Sequence, residues 1–314
     1  MLRYLIRRLL FSVVVVAGVA TIAFALLHMI PGDPVDAILG VEANPATREA
    51  LRKELGLDEP VLVQYVNWWK GVLRGDLGES VMTGQSVSEL IRQRLPATVP
   101  LAMISMLIAI AIAVPAGIIS AVRRNTWIDG LVSIIAFAGL SIPGFWLGTL
   151  LILFFAVRWQ WFPPGGYVSI FDDPIEGFRH LILPAIALGT TFAAVLTRMI
   201  RSSLLEVLGK DYIRTARAKG QSESRVLIRH ALRNALIPAV TIVGVQAGFL
   251  LSGALVVEQV FSLPGIGRLT VQAVFDRDFP LLQGCIIVIA TIFVLANLIT
   301  DLLYVYLDPR ISYE

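Results

Sequence analysis

Six stretches of about 20 mostly apolar residues dominate this chain, at 9–30, 98–122, 131–157, 181–199, 236–257 and 281–307. An α-helix rises about 1.5 Å per residue, so a run of this length crosses about 30 Å of hydrocarbon. A membrane barrel strand needs about ten residues of alternating character, and none of these runs alternates. The expected fold is therefore all-α, a polytopic membrane protein with six transmembrane helices. Composition agrees, with 56% hydrophobic and only 16% charged residues, where soluble domains carry about 25% charged. Pro115, Pro143, Pro184 and Pro238 fall within or beside the runs. Membrane helices tolerate such prolines when neighbours satisfy the freed carbonyls, so kinks are expected there.

Arg3, Arg7 and Arg8 precede the first run, as in a secretory signal, but the run is long enough to span and no small-residue cleavage pattern follows it. It reads as a membrane helix that stays. Basic residues set the orientation of the rest. Six spans put both termini on one side, together with Arg123, Arg124, Arg198, Arg310 and the eight basic residues of the connection 200–235. The short loops opposite hold only Arg158, Arg179, Arg268 and Arg277. Both termini and the 200–235 loop are expected in the cytoplasm. The chain divides into an N-terminal helix (1–30), a helical extracytoplasmic loop (31–96) and a five-helix core (97–314).

Within the long loop, 44–57 reads as a helix with Leu51 and Leu55 at i, i+4, and 60–74 as a second carrying Tyr65, Trp68 and Trp69. The tryptophans suit either the lipid headgroup region or a cover over the mouths of the spans. Glycines at 75, 78 and 84 mark turns before a polar helix near 87–95. Cys285 is the single cysteine, so no internal disulfide is expected. His28, His180 and His230 are too scattered for a metal centre. The sequence has no phosphate-binding Gly-x-x-x-x-Gly-Lys-Ser/Thr run and no His-Glu-x-x-His or Gly-x-Ser-x-Gly signature. Its basic residues are not interleaved with the aromatic platforms that bind nucleic acid. No catalytic residue, metal or bound cofactor is expected, and any nucleotide hydrolysis would have to take place elsewhere.

The 200–235 connection is the most informative segment. Asp211-Tyr-Ile-Arg-Thr-Ala-Arg-Ala-Lys-Gly220 reads as a short helix ended by glycine, and Ser222 as the cap of a second helix with Glu223 in its first turn. Arg225, Arg229 and Arg233 recur every four residues and share a face. Two readings fit: arginines that fix topology and touch anionic lipid, worth about 1 kcal/mol each, or a rigid polar handle by which a partner moves the spans.

This segment, with His230-Ala-Leu-Arg-Asn-Ala-Leu-Ile-Pro238, resembles the cytoplasmic loop of binding-protein-dependent ABC importer permeases, in the form of the dipeptide, oligopeptide, glutathione and nickel group. Arg214, Thr215 and Ala216 stand where the general pattern has Glu-Ala-Ala, and Pro238 falls about five residues late, departures that point to this group rather than to sugar or phosphate importers. Pro31-Gly-Asp-Pro34, Glu54-Leu-Gly-Leu-Asp58, Gly75-Asp-Leu-Gly78, Arg94-Leu-Pro-Ala-Thr98, Phe261-Ser-Leu-Pro-Gly-Ile-Gly-Arg-Leu269 and Asp308-Pro-Arg310 also look like it, in order along the chain. The long loop after the first span resembles the B-type subunit of the paired permeases. The resemblance implies an inner-membrane permease for peptides, or for nickel chelates as the alternative. Its implied partners are a second homologous permease, two cytoplasmic ATPases that hold ATP and magnesium, and an extracytoplasmic solute-binding protein. It further implies that Asp211, Tyr212, Arg214, Thr215, Ala216, Arg217, Ala218, Lys219, Gly220, Arg225, Arg229 and Arg233 form the ATPase-coupling loop.

Residues 258–280 carry a second expectation. Pro264, Gly265 and Gly267 break the helix after the fifth run, and Phe261, Leu263 and Ile266 weight the turn with apolar side chains. It is read as an outer gate or as a lid folded over the bundle. Gln246 and Asp301 are polar residues within the spans and hence pathway candidates, with interhelical hydrogen bonding as the plainer role. Asp301 has no basic neighbour evident in the sequence, which keeps an ion-coupled secondary transporter as a rival; an intramembrane enzyme is a second.

Overall fold

The computed structural model describes residues 2–29, 35, 44–54 and 56–307. The motifs Pro31-Gly-Asp-Pro34 and Asp308-Pro-Arg310, and Leu55, lie outside the described residues. Eleven helices carry the described chain: α1 (Leu2–Met29), α2 (Pro45–Glu54), α3 (Val61–Leu73), α4 (Val87–Val122), α5 (Trp127–Ser141), α6 (Gly144–Arg158, π-helical from Ile152), α7 (Pro174–Leu208), α8 (Asp211–Ala218), α9 (Glu223–Val260), α10 (Ile266–Phe275) and α11 (Phe279–Leu307). Five are long and apolar enough to cross a membrane, and six if the α5–α6 pair is one span.

Three boundaries differ from the sequence expectation, each at a proline or a polar turn. The polar helix expected near 87–95 is the first part of α4, which runs 36 residues through Pro96, Pro100 and Pro115. The second helix of the 200–235 connection is likewise the start of α9, a 38-residue helix with a π-helical turn over Val226–Leu232 just before Pro238. A widened turn of this kind leaves room for a residue that cannot donate, and such turns collect at functional sites. At about 1.5 Å per residue both helices exceed 50 Å, so each overhangs a 30 Å hydrocarbon layer. The third run is broken: α5 and α6 meet at an angle of 101°. Ile142, held extended before Pro143, cannot continue the helix because the proline ring disfavours α geometry in the residue before it.

α7 is the axis of the bundle. In its apolar window 67% of residues are buried, against 17% for α1. Its main partner is α4, and it also touches α5, α6 and α9. The approach is close because α4 turns a column of small buried residues toward it: Ser105, Ala109, Ala113, Gly117 and Ala121, spaced four apart. Opposite the column, a Cβ on Gly189 would sit 2.7 Å from the Ser105 carbonyl oxygen. Without a hydrophobic drive between helices in lipid, such small-residue packing is what brings backbones together.

α1 lies at the periphery and packs on α11. Near its start Arg8 forms an ion pair with Asp301 of α11, so the sequence expectation of no basic partner is corrected: the cation arrives from the other end of the chain. Near its end Phe24 packs against Tyr65 and Trp68 of α3, and the Tyr65 hydroxyl bonds Thr21 at 2.8 Å. The tryptophans therefore cover the end of the first span, while Val61, Leu62 and Leu73 leave an apolar face of α3 exposed.

Candidate functional site

The residues singled out in the sequence gather mainly at two ends of the bundle. At one, α7 runs into α8 through Gly209 and Lys210, and α8 into α9 through Gly220 and Gln221. Ile213 and Ala216 fall three apart on α8 and are buried. They sit on Ala121, Leu204, Val226, Ala231 and Ala235, a small apolar seat supplied by α4, α7 and α9. Tyr212, Arg214, Thr215, Arg217, Ala218 and Lys219 are exposed on the outward face. Ala216, grouped with the coupling residues on resemblance, thus belongs to the seat and not to the outward face.

The corner after α8 is braced. Gly220 has φ +74, a left-handed conformation that costs other residues roughly 1–2 kcal/mol; a Cβ there would meet nothing within 4 Å, so backbone and not space selects glycine. Across the corner Arg217 clasps Glu223 in bidentate fashion, Nε to Oε1 at 2.8 Å and Nη2 to Oε2 at 3.1 Å. Gln221 Oε1 lies 2.9 Å from His230 Nε2, and Asn234 Nδ2 donates to the Tyr212 hydroxyl at 2.9 Å. Ser222 stands at the start of α9 but makes no capping bond with its side chain. Arg225, Arg229 and Arg233 are exposed and make no ion pair among the described residues. The corner holds by several weak ties, so Glu223→Gln is expected to cost no more than about 1 kcal/mol, as for other exposed ion pairs; a thermal melt of the purified chain reads it.

Below this corner lies a buried network that the sequence reading missed. Asp129, at the start of α5, accepts from Arg201 of α7 at Oδ1 (2.7 Å) and Oδ2 (2.8 Å), from the Ser120 hydroxyl of α4 and from the Asn125 amide at 3.0 Å. It ties the α4–α5 turn to α7 within three turns of α8. The only sequence signal was an acidic residue heading an apolar run.

At the opposite end, the break after α9 is wedged into the bundle. Phe261 is 1% exposed and Leu263 fully buried; the Phe261 carbonyl accepts from Gly166 at 3.1 Å. Gly265 and Gly267 are buried, and a Cβ on Gly265 would land on the Glu258 carboxylate. That carboxylate, itself fully buried, organises the turn. Oε1 accepts from the Thr98 hydroxyl at 2.6 Å, Oε2 from the Arg268 amide at 2.9 Å, and Thr98 Oγ1 in turn accepts from the Ile266 amide at 2.8 Å. Backbone that leaves the helix inside a bundle must find its hydrogen bonds in protein, and Glu258 with Thr98 supplies them at Ile266 and Arg268. Tyr167, in the α6–α7 connection, donates to the Pro96 carbonyl at 2.9 Å; burial raises its pKa above the usual phenol value, keeping the hydroxyl a donor.

The remaining predicted residues do not converge. Gln246 lies in α9 with a buried Nε2 that has no partner among the described residues, and Asp301 is held by Arg8 in α11. His28 contacts Gln64, His180 the Glu176 carbonyl and His230 Gln221, three separate places.

The sequence matches two families along nearly its whole length: "Binding-protein-dependent transport system inner membrane component" over residues 113–313 and the N-terminal membrane component of such systems over residues 1–102. The dipeptide transport system permease protein DppB of Alkalihalophilus pseudofirmus is 46% identical with full coverage of both chains. DppB of Escherichia coli is 43% identical and the oligopeptide permease AppB of Bacillus subtilis 42%, each also covering both chains in full. Among solved structures, an inward-facing MetNI methionine ABC transporter chain superposes with a TM-score of 0.59 at 19% identity, covering 70% of this chain and 96% of its own, a likeness of fold.

Proposed function

The chain belongs to the inner-membrane components of binding-protein-dependent transport systems, and on that premise we propose that it is one permease half of an ATP-driven peptide importer. Peptide is the solute class because full-length relatives at 42–46% identity carry dipeptide and oligopeptide names. In this reading the end bearing α8 faces the cytoplasm, an orientation that the clustering of Arg and Lys there supports. A similar second permease completes the pathway, two ATPases grip the α8 corners, and a soluble binding protein delivers solute at the far end. The chain does no covalent chemistry.

One observation carries the mechanism: α8 is seated on its own bundle through Ile213 and Ala216, with an outward face that no described residue covers, and its corner opens directly into α9. That helix runs unbroken from Glu223 at the handle to Val260 at the Glu258 turn. A partner that displaces α8 therefore moves one rod whose other end holds the outer turn. α7, attached on the other side of α8 and clamped to α5 through Asp129, moves with it. Rigid-body rocking of such elements switches access without local remodelling.

The experiment is reconstitution of the chain with companion permease, ATPases and binding protein in proteoliposomes, following labelled dialanine. Accumulation is expected only with ATP and all components. Accumulation by this chain alone, or driven by a proton gradient with ATP absent, would return the secondary-transporter reading.

A further inference from the structure

Arg94 of α4 and Arg268 of α10 both line a recess at the outer end of the bundle, beside the buried turn. The recess has a volume of about 180 Å³ and is lined by both arginines with Pro264, Gly265, Leu269 and Gln272. Neither guanidinium has an ion-pair partner among the described residues, and the Arg94 Nε atom is buried without a hydrogen-bond partner. The contrast with Arg92 is sharp: two residues earlier, it is spent on a bidentate pair with Glu89. The nearest buried acid, Glu258, lies behind Gly265 and is engaged by Thr98 and the Arg268 amide, so it does not reach the recess as a partner for Arg94.

We infer that this recess is a carboxylate receptor. A guanidinium presents a planar fork matched to two carboxylate oxygens, and a buried donor without an acceptor is costly enough that native sites supply one. Size sets what enters. The volume is below the roughly 300 Å³ at which pockets begin to enclose drug-sized ligands, so the recess takes the end of a chain and not a whole solute. A lipid phosphodiester carries two ester arms and needs two exits, whereas a carboxylate terminates its chain. Two sources have this chemistry: the free C-terminus of a peptide solute, and an acidic side chain of the docked binding protein. The recess sits against the turn that α9 carries, so a carboxylate held there engages the moving element directly. The inference rests on the importer reading, with this end facing outward.

The test applies phenylglyoxal, which modifies guanidiniums, to the assembled transporter in nanodiscs, with peptide mass spectrometry comparing Arg94 and Arg268 with the exposed Arg124. N-acetylalanine is the carboxylate probe and its amide the neutral counterpart. Slowing of modification by about threefold or more with N-acetylalanine alone, as expected of a bidentate charge-assisted pair, supports the receptor with free solute as source. The slowing should vanish in Gln272→Trp, which fills the recess from an exposed position. Protection seen only with added binding protein, and lost once that protein's carboxylates are amidated, supports the receptor with the docked protein as source. Protection that survives amidation, that follows phosphatidylglycerol content alone, or that never occurs overturns it. ATP-driven dialanine uptake is measured on the same unmodified complex. Uptake without protection removes the receptor and leaves the importer standing, while loss of ATP dependence removes the importer reading itself.

Discussion

Ala218→Trp is expected to cut ATP-driven uptake by the assembled transporter more than about tenfold while leaving the thermal stability of the chain unchanged. Ala218 is exposed at the end of α8, away from the buried Ile213 and Ala216, so an indole there leaves the apolar seat among the described residues undisturbed. In the proposed assembly it lies in the surface that an ATPase would close on, and disrupting the packed centre of an interface costs about 2 kcal/mol or more, beyond the 1.4 kcal/mol of a tenfold change. Two residues away, Ala216→Trp should behave in the opposite sense. That side chain is 7% exposed and faces Leu204 and Val226, so overpacking should destabilise the chain by about 1–3 kcal/mol. ATPase co-purification, uptake and melting temperature on both variants separate docking from folding. Wild-type uptake in the Ala218 variant would remove α8 from the interface.

Glu258→Ala is expected to lower the melting temperature in detergent by about 10 °C. The substitution leaves the buried Thr98 hydroxyl and the part-buried Arg268 amide without their acceptors, at about 1–3 kcal/mol each, and each kcal/mol moves the midpoint by roughly 2–4 °C. Glu258→Gln keeps the shape and one acceptor, and should lose about half as much. Trypsin cleavage after Arg268 provides a second reading, since a released turn exposes that bond. A melt within about 2 °C of wild type for the alanine variant would mean that packing of Phe261 and Leu263 holds the turn without the carboxylate.

The apolar runs were legible because hydrocarbon thickness imposes a length that few other structures share. The handle was legible for a local reason: its glycine stop, its exposed arginines and its polar helix all lie within 25 residues, where spacing alone sets faces. What the sequence did not disclose has two causes. Prolines are ambiguous in membrane helices: Pro96, Pro100, Pro115, Pro184 and Pro238 pass inside helices, whereas Pro143, followed by Gly144, turns the chain by 101°. The decisive polar contacts are also remote in sequence. Thr98 and Glu258 are 160 residues apart, and Asp129 and Arg201 are 72 apart, so each acid looked solitary. Asp301 likewise reads as solitary in the sequence and so as an ion-coupling candidate, whereas the structure pairs it with Arg8 at the contact of α1 with α11.

The unbroken course of α9 has a thermodynamic corollary. In the proposed importer, if what arrives outside favours one position of that rod by some factor, then the affinity of an ATPase for the inner corner must change by the same factor, because coupling free energies are reciprocal. A peptide delivered at one membrane face is then sensed at the other without any diffusible messenger, and idle ATP turnover in the empty transporter measures how loosely the rod is held.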